Sequence, residues 1–194
     1  MTCLPATRTR MIVRITAVID ARSASASGPE LELAIDAVAH LRSTGRELPL
    51  TIVGDGPERA ALERRAKQPA SAGLITFTGA VPPTEIPRWL ARADVMLFPA
   101  QREGFGLVAA EAFMSGVPVV ACEDGGGVLD VVPAGGAGRR APASAAALAR
   151  AVTELLEGEA RAAATMEGEV WRARLAPDSV AATCQRWYAE ALGE

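Results

Sequence analysis

Five short aliphatic-rich runs, separated by segments of helix length, constrain the fold of this chain more than any other feature. They occupy residues 13–19, 50–53, 74–78, 94–98 and 118–122. A strand that alternates apolar and polar residues keeps one face in water, whereas a strand apolar throughout must be covered on both faces. Strands of the second kind, joined by helices, build a parallel, doubly wound sheet.

The intervening segments carry helix signals. Pro29 suits a helix start, and Leu31, Ile35, Val38 and Leu41 recur at helical spacing before Gly45 ends the element. Residues 58–67 form a charged helix with Leu62 turned inward, and Pro82 and Pro83 open a helix running to about 91. Residues 105–115 are apolar on most sides, with Gly116 as the C-cap. Gly125, Gly126 and Gly127 lead into a short helix through Asp130, and Ser144 caps a helix to about 156. Two further helices follow, broken at Pro177, with Trp171, Trp187 and Tyr188 as packing residues. The expected fold is therefore α/β, with one Rossmann-like parallel sheet of about six strands and helices on both faces. The 194 residues suit a single domain, expected over 13–194 behind a flexible leader at 1–12. The polar segment 22–28 (RSASASG) lies directly after the first strand, where such folds place ligand loops.

Composition narrows the function. A net charge of −3 gives no electrostatic reason to expect nucleic-acid binding. Three scattered cysteines (Cys3, Cys122, Cys184) form neither a metal spacing nor a disulfide framework, which favours a reducing cytosol. No apolar run reaches the length of a membrane span. His40, the one histidine, falls within a predicted helix far from every motif, and Cys122 ends a buried strand as a packing residue. The pair Arg139-Arg140 reads as solvated.

The chemistry concentrates in Glu103-Gly104-Phe105-Gly106-Leu107, with Glu111 four residues beyond. The segment opens a helix at the carboxyl end of the fourth strand. Gly104 and Gly106 permit close approach of a ligand to the backbone, and the N–H groups of Phe105, Gly106 and Leu107 suit a phosphate or diphosphate. Glu111 sits among Ala110, Ala112 and Phe113, where a carboxylate needs a reason. Two carboxylates cannot attract an anion, but they accept hydrogen bonds from the hydroxyls of a ribose or hexose. Taken singly, glutamates at these positions also read as a helix-terminal charge and a surface residue. The segment VGDGPER lacks the third glycine of a dinucleotide fingerprint and reads as a strand-end turn around Gly54.

EGFGLVAAEA resembles the E-x7-E signature of GT-B glycosyltransferases, in the large retaining "group 1" family that includes many mannosyl- and glucosyltransferases. LTIVGDGPERAALERRA and the block from ITFTGAVPP to GGGVLDVV are similar to the same family in order and position. The resemblance spans about residues 13–192, corresponding to the C-terminal, donor-binding half of a GT-B fold and none of the acceptor-binding half. It implies that Glu103 and Arg22 act in catalysis. Glu111 would bind the ribose diol, and Phe105, Gly106 and Leu107 the distal phosphate. Val81 would meet the nucleobase through its backbone. Gly104, Gly54, Gly126 and Gly127 complete the implied donor-binding set, with a plain tight loop as the alternative for the glycines at 125–127. A UDP-, GDP- or ADP-linked sugar is the implied substrate, with no metal or other cofactor. The family's usual lysine is missing: Ser27 precedes Gly28. Ala100 and Asp130 depart from a common serine and glutamate, and Pro83 from a base-reading carboxylate of some relatives. A partner chain carrying the acceptor half, or a homodimer, would complete an active enzyme. A non-catalytic binding protein of the same fold is the alternative, and a Rossmann-type oxidoreductase ranks behind both.

Overall fold

The computed structural model describes residues 14–18 and 28–192. Arg22, Ser27, Cys3 and the expected leader lie outside the described residues. Among the described residues, six strands form one all-parallel sheet: β1 (Ile15–Val18), β2 (Leu50–Val53), β3 (Ile75–Phe77), β4 (Val95–Phe98), β5 (Val119–Cys122) and β6 (Gly138–Ala141). Their order across the sheet is β3-β2-β1-β4-β5-β6. The order in which successive strands are added therefore reverses between β1 and β4, the switch point at whose carboxyl ends folds of this kind place their ligand crevice.

Among the described residues, seven α-helices connect and follow the strands: α1 (Gly28–Ser43), α2 (Arg59–Ala66), α3 (Ile86–Leu90), α4 (Leu107–Met114), α5 (Ala145–Glu157), α6 (Ala160–Arg174) and α7 (Pro177–Leu192). Side chains alternate across a strand, so each run of apolar residues supplies two cores. Ile15, Ala17, Leu50, Ile52, Val95, Leu97 and Val120 face one side, packed with Ile35 and Val38 of α1, Leu62 of α2 and Leu148 and Val152 of α5. Val18, Val53, Met96, Phe98, Val119 and Ala121 face the other, with Leu90 of α3, Ala109 and Phe113 of α4 and Ala164 and Trp171 of α6. The low aromatic content leaves the core largely aliphatic and alanine-filled, and small residues let helices approach closely. A Cβ on Gly168 of α6 would lie 2.2 Å from the Phe113 carbonyl oxygen of α4.

Three expectations change. The sixth strand, β6, passes through Arg139 and Arg140, which are half-buried rather than solvated. Arg139 pairs with Glu154 at 3.3 Å, and Arg140 donates to the carbonyls of Val132 (2.8 Å) and Leu129 (2.6 Å). Trp171 is in the core, but Trp187 and Tyr188 are 65% and 72% exposed and pack no core. The apolar helix after β4 begins at Leu107 rather than Phe105, because Gly106 adopts a left-handed conformation (φ 79°, ψ 48°) that a right-handed helix cannot contain.

Candidate functional site

The loops that leave β4 and β5 form one ladder at the carboxyl edge of the sheet. The N–H of Arg102 donates to the Asp124 carbonyl at 2.9 Å, and that of Glu103 to the Gly125 carbonyl at 2.7 Å. The N–H of Gly127 returns to the Glu103 carbonyl at 2.7 Å. This pairing explains the three consecutive glycines. A Cβ on Gly127 would lie 1.9 Å from the Gly104 carbonyl oxygen, and one on Gly126 would lie 2.7 Å from the Glu103 carbonyl oxygen. On Gly125 it would meet the Val128 side chain at 2.6 Å. Of the two readings of this run, the tight loop thus has a direct physical cause.

Gly106 is held in the same way: a Cβ there would meet the Val128 side chain at 2.5 Å. Gly104 differs, since a Cβ on it would meet nothing within 4 Å. The carboxylate of Glu103 turns back to accept from the Gly104 N–H at 2.9 Å. The N-cap of α4 is Gly106, which brings no side chain to cap the helix. Around that helix, Val108, Ala109, Ala110, Ala112 and Phe113 are buried, while Leu107, Glu111 and Met114 form the one stripe that is not. Glu111 is one turn after Leu107 on that stripe. The Cα–Cβ bonds of a helix tilt toward its N-terminus, here the Leu107 end of α4.

The rim is built from the neighbouring strands. Gly54 follows β2 with φ 122°, and its N–H is taken by the Gly79 carbonyl at 3.1 Å and the Thr78 hydroxyl at 3.2 Å. Any part Gly54 plays for a ligand therefore comes through the shape of this turn rather than through its amide. Val81 lies two residues beyond Gly79, half-buried against the β4–α4 core. Glu30, in the first turn of α1, accepts from the Gln101 N–H at 2.9 Å, and the Gln101 side-chain amide donates to Asp124 at 2.8 Å. Gln101 thus joins α1 to both loops, a link that no motif in the sequence signals. Phe105 stands 39% exposed with its ring edge-on to Trp171, 5.9 Å between centroids. The Cys122 thiol donates to the Pro99 carbonyl at 3.4 Å, and burial pushes it up to about 12, as befits a packing residue. His40 is exposed on α1.

The family model for glycosyl transferases group 1 matches residues 29–169, most of the chain. The chain belongs to the group 1 glycosyl transferases. A curated relative in this family, the 2-deoxystreptamine glucosyltransferase of Streptomyces kanamyceticus, is 36% identical over 141 residues, covering 72% of this chain and 36% of the relative. The group 1 fold also appears in solved structures. HepE of Anabaena, in complex with UDP and glucose, superposes with TM-score 0.72 at 23% identity, over 94% of this chain and 48% of that one. The C-terminal domain of the group 1 protein LpcC from Francisella tularensis superposes with TM-score 0.66 at 22% identity, over 84% of this chain and 85% of that domain. The chain therefore corresponds to one domain of a GT-B glycosyltransferase. It spans about a third to a half of the full-length proteins it matches. Among the described residues, no helix is long and apolar enough to cross a membrane.

Proposed function

We propose that this chain is the donor-binding half of a retaining glycosyltransferase, and that transfer needs an acceptor-binding half supplied outside these residues, by a partner chain or a longer polypeptide. The observation that carries this reading is the start of α4. A left-handed Gly106, which brings no capping side chain, precedes the first amides of α4, and Glu111 follows one turn after Leu107 on the partly exposed stripe. Such a terminus attracts phosphate through its N–H groups and the helix dipole.

In this reading the distal phosphate of a nucleotide-diphosphate sugar takes the amides of Phe105, Gly106 and Leu107. Glu111 accepts the ribose diol, and Glu103 accepts hydroxyls of the sugar. Val81 meets the base through its backbone. Gly104, with open space before it, lets the donor approach the loop. Gly54, Gly126 and Gly127 shape the walls. Arg22 neutralises charge on the leaving diphosphate, whose oxygen helps deprotonate the acceptor on the same face, so the anomeric configuration is retained. Amides and basic side chains replace a metal ion. A reducing cytosol suits the free thiols of Cys122 and Cys184.

The test is calorimetric titration of the chain with UDP-, GDP- and ADP-glucose and GDP-mannose. Saturable binding to one of them supports the reading, and no binding to any contradicts it. One sequence observation favours a second reading, a non-catalytic nucleotide-sugar-binding protein: Ser27 occupies the position of the family's lysine. Normal cellular function after a Glu111→Ala change that abolishes nucleotide binding would favour that alternative.

A further inference from the structure

Arg102 is the only residue other than glycine with a positive φ (57°) among the described residues. Left-handed backbone is unfavourable for a side chain with a Cβ and costs glycine nothing. The conformation is imposed from outside: the rungs from Arg102 to Asp124 and from Glu103 to Gly125 fix the peptide on both sides of the residue. Glycine would satisfy the same backbone. An arginine kept at such a position, on the edge of a candidate site, calls for a role of its side chain.

Charge identifies that role. The loop residues 99–106 and 123–130 contain four carboxylates (Glu103, Glu123, Asp124 and Asp130) and one cation, Arg102. A diphosphate entering between these loops meets a negative surround that helix amides offset only in part. Arg102 is exposed, and among the described residues its guanidinium makes no ion pair or side-chain hydrogen bond. A guanidinium offers forked donors that match phosphate oxygens.

We propose that Arg102 is a donor-binding residue that contacts the diphosphate, and that its strained backbone is the cost of placing a cation there. The inference rests on the donor-binding reading of the site. Its test compares wild type, Arg102→Gly and Arg102→Lys by thermal melting and by calorimetric titration with UDP, GDP and ADP. Arg102→Gly should raise the melting temperature while weakening diphosphate binding roughly ten- to a hundredfold. The loss should shrink as salt is raised. Arg102→Lys should melt close to wild type and keep most of the affinity. The proposal is overturned if Arg102→Gly binds as tightly as wild type, if its melting temperature falls together with its affinity, or if Arg102→Lys binds no better than Arg102→Gly. A wild type that binds none of the three nucleotides removes the donor-binding reading itself, and this inference with it.

Discussion

The Gly127 N–H donates to the Glu103 carbonyl at 2.7 Å, and this bond ties the loop after β5 to the loop that carries the E-x7-E segment. The two loops therefore behave as one body. Side chains cannot be added between them, but one can be added in front of Gly104, which faces open space.

That contrast gives a first prediction. Gly127→Ala places a methyl 1.9 Å from the Gly104 carbonyl oxygen, and the loops must part. A loss of roughly 2–4 kcal/mol is expected, in the range of severe steric substitutions. Gly104→Ala should change stability by less than about 1 kcal/mol, yet weaken donor binding because the methyl fills the approach to the backbone. Chemical denaturation and nucleotide-sugar titration of both variants check this. Equal stability of the two would contradict the packing account.

The two glutamates should separate by ligand. Glu111→Gln removes a charged acceptor for the ribose diol and should weaken UDP and UDP-glucose alike, by roughly tenfold or more if UDP is the nucleotide bound. Glu103→Gln should weaken the sugar nucleotide relative to the free diphosphate, since its proposed partner is the sugar. Parallel titrations with each pair of ligands read the difference, and identical patterns for the two variants would contradict the assignment.

Cys122 should be inert while the protein is folded. Its thiol is pushed up to about 12, mainly by burial and then by Asp124, Glu30 and Glu123, against an ordinary value of 9.0. The folded state thus holds the proton more tightly than the unfolded chain. The associated stability is complete below pH 9 and declines as pH rises from there toward 12. Iodoacetamide at pH 8 followed by peptide mapping should find Cys122 modified only after denaturation. Modification of the native protein would contradict the burial.

Trp187 and Tyr188 stand on the outside of α7. Replacing both with alanine should shift the stability of this chain by no more than about 0.5 kcal/mol per site, as for other exposed positions. A loss of several kcal/mol on denaturation would mean that they pack against the domain.

Much of the fold is legible in the sequence because β1, β2, β4 and β5 are largely buried on both faces and are therefore rich in aliphatic residues, while β3, at one sheet edge, still carries Ile75 and Phe77. The sixth is hidden by its residues: β6 lies at the sheet edge and its centre is Arg139-Arg140. Those arginines are half-buried and bond Glu154 and the carbonyls of Val132 and Leu129, a pattern with no local signature. Trp187 and Tyr188 misled in the opposite direction, because aromatic character favours burial without requiring it. The spacing of Leu107 and Glu111 is legible, since both lie on α4 one turn apart. The role of the glycines at 125–127 was not, because it depends on the backbone of residues 102–104, some twenty positions away. The strain at Arg102 was equally invisible, since an arginine carries no sequence mark of a left-handed backbone.

The proposed diphosphate site is tested most directly by titrating the 15N-labelled chain with UDP, GDP and ADP and following its amide resonances. One of the three should produce its largest shifts at Phe105, Gly106 and Leu107, and Glu111→Ala should remove them. Shifts centred elsewhere on the sheet, or no response to any of the three, would contradict the placement of a diphosphate at the start of α4.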